Sequence, residues 1–69
     1  MAAGALVTQT RIHELAYRHN GGIHVTLLWQ ASDDSLFVLV VDEPAGTTLR
    51  IAAERHNALD VFRHPFAYS

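Results

Sequence analysis

The chain has 69 residues, 49% hydrophobic and 17% charged, with a formal net charge of −2 and no cysteine. That length makes one domain with a small core, and neither a disulfide nor a thiolate metal site can staple it. The five basic residues (Arg11, Arg18, Arg50, Arg55 and Arg63) are scattered and none is a lysine, so the clustered cations that displace counterions from a nucleic-acid backbone are missing. A nucleic-acid partner is not expected.

At the N-terminus, residues 1–10 carry an apolar patch at Ala5-Leu6-Val7 that is too short for a signal h-region or a membrane span. The reading is a cytoplasmic protein, with residues 1–10 a flexible segment or a partial cover for the sheet. From about Arg11 to Arg55 four short aliphatic and β-branched runs alternate with three turn signals. The first, Ile12 to His19, sets Leu15 and Tyr17 against Glu14, Ala16 and Arg18, as an edge strand would. The second, Ile23 to Gln30, has Ile23, Val25, Leu27 and Trp29 on one face and His24, Thr26, Leu28 and Gln30 on the other. The third, Leu36 to Val41, is apolar on both faces, as in a strand covered on both sides. The fourth repeats the alternation, with Leu49, Ile51 and Ala53 against Thr48, Arg50, Ala52 and Glu54.

Asn20-Gly21-Gly22, Ser32-Asp33-Asp34 and Pro44-Ala45-Gly46 are the turns between them. Three-residue loops predict the pairs His19 with Ile23, Ala31 with Ser35 and Glu43 with Thr47. Leu15, Leu27, Leu39 and Ile51 then form one row, with Trp29 beside Phe37. A short helix over 57–64 follows, with Asn57 as N-cap, Asp60 in its first turn and Pro65 ending it. Leu59 and Phe62 share a helix face, and the aromatic tail 65–69 is expected to dock. The expected fold class is α+β: a four-stranded antiparallel β-meander with one short C-terminal helix packed on one face. Leu27, Trp29, Phe37, Leu39, Ile51 and Phe62 are the expected core.

The five histidines (His13, His19, His24, His56 and His64) lack the converging spacing of a zinc site. In the expected register His13 and His19 lie on the opposite face from His24. Ser32 and Ser35 bracket an acidic hairpin turn instead of a nucleophile elbow, and Asp33-Asp34 and Asp42-Glu43 read as solvated turns. Asn20-Gly21-Gly22 has neither the lysine nor the following helix of a phosphate loop. No catalytic residue, metal site or cofactor is expected.

One stretch carries a resemblance. Ala58-Leu59-Asp60-Val61-Phe62-Arg63-His64-Pro65-Phe66-Ala67-Tyr68 resembles the ending of short uncharacterised bacterial proteins, an Ala-Leu-x-x-Phe-x-His-Pro-aromatic-Ala-Tyr pattern after a β-sheet region. The resemblance implies architecture and no activity.

One helix covers one face of a sheet, so the other face needs a partner. In the expected register Leu28, Leu36, Val38, Val40 and Ala52 form that second apolar face, with Val38 central and Arg50 and Thr26 at the rim. The functional expectation is a small non-enzymatic interaction protein, acting through protein–protein contacts as a homodimer or an accessory subunit. The alternative is a ligand- or nucleic-acid-binding module using an exposed aromatic surface, since sheet aromatics can stack bases.

Overall fold

The computed structural model describes residues 11–69. The four runs form strands β1 (Ile12–Asn20), β2 (Ile23–Gln30), β3 (Ser35–Asp42) and β4 (Thr47–Ala53), followed by helix α1 (Ala58–Arg63) and a 3-10 turn at Pro65–Ala67. The strands pair antiparallel in the order β1-β2-β3-β4, and α1 packs across β2, β3 and β4. The chain is therefore an α+β meander with its C-terminal helix on one face, as the alternation predicts. The expectation that residues 1–10 cover part of the sheet lies outside the described residues.

The register differs from expectation because the turns have other lengths. Gly21 and Gly22 alone join β1 to β2, with φ of +58° and +83°. Positive φ at both positions matches the right-handed twist of the flanking strands. Gly22 also has no room for a side chain, because a Cβ there would lie 2.8 Å from Pro44 Cδ. The second turn spans 31–34, with Asp34 left-handed at φ +59° and the Asp33 carboxylate accepting both the N–H and the hydroxyl of Ser35. The third spans 43–46, closed by the Gly46 N–H donating to the Glu43 carbonyl. Four-residue loops pair Gln30 with Ser35 and Asp42 with Thr47. Each is one residue longer than expected, so β3 is inverted relative to its neighbours while β2 and β4 keep their expected faces.

The core is accordingly built on Leu27–Val38–Ile51 and Val25–Val40–Leu49 as adjacent rows. Val38 and Val61 are wholly buried, and Val25, Leu27, Val40, Ile51 and Ala58 complete the cluster. Each fully buried aliphatic side chain contributes about 1.5–3 kcal/mol. This corrects the expected interface: Leu36, Val38 and Val40 face the helix and belong to the core or its margin. Leu39, expected in the core, is only half-buried and lies on the other face, while Trp29 and Phe62 are also half-buried.

In β1 the pairing shifts between Glu14 and Ala16, leaving Leu15 as a bulged residue that is 54% exposed. The bulge places Ala16 against Leu27, the position expected for Leu15. Helix α1 buries Ala58 and Val61 and exposes Leu59, contrary to the expected Leu59–Phe62 face. Asn57 is not a side-chain cap: its Oδ1 accepts the Glu54 N–H and closes the approach to the helix. Pro65 does end the helix and is buried, whereas Phe66 stands 61% exposed, so the tail docks only in part.

Candidate functional site

The register assigns the face away from the helix to three full rows: Glu14–Leu28–Phe37–Ala52, Tyr17–Thr26–Leu39–Arg50 and His19–His24–Val41–Thr48. Ile12 extends the face beside Gln30. Of the residues expected at an interface, Leu28 and Ala52 lie here, flanking Phe37. Phe37 and Leu39 take the places expected for Val38 and Val40, and Tyr17 lies beside Thr26. Arg50 and Thr26 share the central row instead of the rim.

Two contacts organise the face. The Arg50 guanidinium sits 3.9 Å from the centre of the Phe37 ring, within cation–π range, and the ring is buried. At the hairpin end, Tyr17, His19 and His24 stack with centroids 5.7–6.0 Å apart. The Tyr17 hydroxyl meets His24 Nδ1 at 2.6 Å, and His24 Nε2 lies 3.3 Å from Glu43 Oε1. A neutral imidazole protonated on Nε2 satisfies both contacts at once, accepting from Tyr17 and donating to Glu43. His19 and His24 are direct partners across the glycine turn, which corrects their expected placement on opposite faces. His13 lies on the helix side, its ring 5.3 Å from that of Trp29.

The Tyr17–His24–Glu43 chain fixes the orientation of the rings on an open surface, where Tyr17 is 47% exposed. Among the described residues no group of three or more His, Asp or Glu is placed to hold a metal ion. Nor is any helix among them long and apolar enough to cross a membrane. The Asp33-Asp34 turn is a structural anchor. Asp34 accepts the Trp29 indole N–H at 2.8 Å and pairs with Arg55 at 2.7 Å, and these two partners hold its carboxyl below the usual range.

Comparison with known protein families, curated proteins and solved structures finds no match.

Proposed function

We propose that this protein is a non-enzymatic interaction protein that pairs with a second copy of itself through the face opposite the helix. The observation supporting this reading is the apolar content of that face: half-buried Leu28, Leu39 and Val41 on its two inner strands, Phe37 beneath Arg50, and Ile12 and Tyr17 more than two-fifths exposed on the edge strand. Contiguous patches of this kind mark interaction sites on small soluble domains.

The face also complements itself. The charged residues of its strand rows are Glu14 on edge strand β1 and Arg50 on edge strand β4, in neighbouring rows, while Glu43 from the β3–β4 turn engages His24 at the hairpin end. A two-fold axis parallel to the strands lays β1 of one protomer over β4 of its partner, bringing each Glu14 toward an Arg50. Such isologous pairing is the commonest homo-oligomer. The face measures about 26 Å along the strands and about 15–19 Å across. Its footprint of roughly 400–500 Å² per protomer falls below the ~800 Å² of a standard interface, so association is weak, in the micromolar range or above.

The experiment is light scattering on the wild-type chain over a hundredfold concentration range, alongside Leu39→Asp. Mass should rise toward that of a dimer for wild type and stay monomeric for the variant. A wild-type monomer at the highest concentration would overturn the reading.

The aromatic-surface alternative draws on the Tyr17–His19–His24 stack. Arg50 is the single arginine on the face and is committed to Phe37, which gives a phosphate backbone little to hold.

A further inference from the structure

On the helix side, away from the face just described, a groove of about 460 Å³ runs between the β1–β2 hairpin and the chain that leaves α1. Ile23, Val25 and Pro65 give it an apolar floor and Phe66 an exposed aromatic wall; Arg18 and Arg63 stand at its sides. None of the residues around it is acidic.

The two arginines are in different states. Arg18 uses Nη2 to donate to the Phe62 carbonyl at 2.8 Å and the Arg63 carbonyl at 3.1 Å, which caps the end of α1. A guanidinium has five N–H donors, so the rest of its fork is left without a protein acceptor among the described residues. Arg63 has no carboxylate partner there either: Glu43 accepts from His24, Asp34 pairs with Arg55, and Asp60, one turn earlier, accepts the Tyr68 hydroxyl. Two cations that nothing acidic neutralises, beside an apolar floor, select a ligand with an anionic head and a hydrocarbon body. A planar fork matches a carboxylate in particular.

We infer that this groove binds a small amphiphilic monocarboxylate, with its carboxylate against Arg63 and the free side of Arg18 and its chain along Ile23, Val25 and Phe66. The volume lies within the range of small-molecule sites, near its lower end. This site is independent of self-association, because it lies on the other side of the sheet.

Titration of the intact protein with octanoate, followed by amide NMR, tests the inference; acetate and 1-octanol serve as the head-only and tail-only probes. Octanoate should give saturable shifts at the amides of Ile23, Val25, Arg63, His64, Phe66 and Ala67. It should bind at least ~10-fold more tightly than acetate, since several methylenes leave water. It should bind about fivefold more tightly than 1-octanol, the scale of one partly exposed charge pair. Arg63→Ala should weaken octanoate by about the same factor and leave 1-octanol unchanged, while Arg55→Ala should change neither. Equal affinity for octanol and octanoate, shifts centred on Leu28 and Leu39, or no saturable shift would each overturn it. The wild-type comparison decides the matter even if Arg63→Ala fails to fold.

Discussion

Truncating Val38 and Leu39 in parallel separates the observed register from the one-residue slip that would exchange them. Val38 is wholly buried, flanked by Leu27 and Ile51 in its row, in the cluster that includes Val61 of the helix. Val38→Ala removes two methyl groups at about 0.8 kcal/mol each and leaves a cavity that a close-packed row cannot refill. The expected loss is about 2–3 kcal/mol. A domain of this length holds roughly 3–10 kcal/mol in all, so the variant should lose on the order of 10–20 °C in melting temperature. Leu39→Ala removes more atoms from a half-buried site on the other face, and should cost only about 1 kcal/mol in the monomer. Urea unfolding followed by Trp29 fluorescence, at a concentration where light scattering finds the chain monomeric, measures both. A Leu39→Ala loss equal to or larger than that of Val38→Ala would refute the register and the faces built on it.

Three further outcomes follow from named contacts. Gly22→Ala should destabilise by about 2 kcal/mol, combining a left-handed φ with the close approach to Pro44, while Gly21→Asn, at a position where a Cβ meets nothing within 4 Å and with a residue that tolerates the left-handed region, should be nearly neutral in the same unfolding assay. Arg18→Ala should cost about 1–2 kcal/mol and speed amide exchange in α1, because it removes the cap on the Phe62 and Arg63 carbonyls and the cation beside the Phe62 ring; Arg18→Lys should not restore the full effect. The Asp34 carboxyl is held below its ordinary value by the Trp29 N–H and Arg55, so its contribution to stability is complete above that ordinary value and is lost as pH falls through the lowered one. Trp29 fluorescence should therefore change with a midpoint below the ordinary aspartate value of about 3.9, and Asp34→Ala should abolish that transition.

The strands, their order and the helix were readable because periodicity-two alternation and turn residues are local signals. β2 and β4 also showed which face goes inward, since Val25 and Leu27, and Leu49 and Ile51, alternate with polar neighbours. β3 did not, because Leu36 to Val41 are apolar throughout. Only turn lengths could orient that strand, and those depended on Ala31 and Glu43 belonging to the loops and on Asp34 adopting a positive φ. Misreading the turns moved Val38 and Val40 to the wrong face and with them most of the expected interface. Leu28 and Ala52 kept their places because β2 and β4 did. The Leu15 bulge left no mark in the alternation, and the His19–His24 stack followed from a turn of two glycines, read as three residues with Asn20.

The central claim is that two copies meet through the face carrying Leu28 and Leu39. Isotope-filtered NOE spectroscopy on a mixture of labelled and unlabelled protein, at millimolar concentration, observes that contact directly. Intermolecular cross-peaks should join the methyl groups of Leu28 and Leu39 to each other and to the Tyr17 ring. Cross-peaks confined to helix-side residues such as Leu59 and Phe66, or none at all, would contradict it.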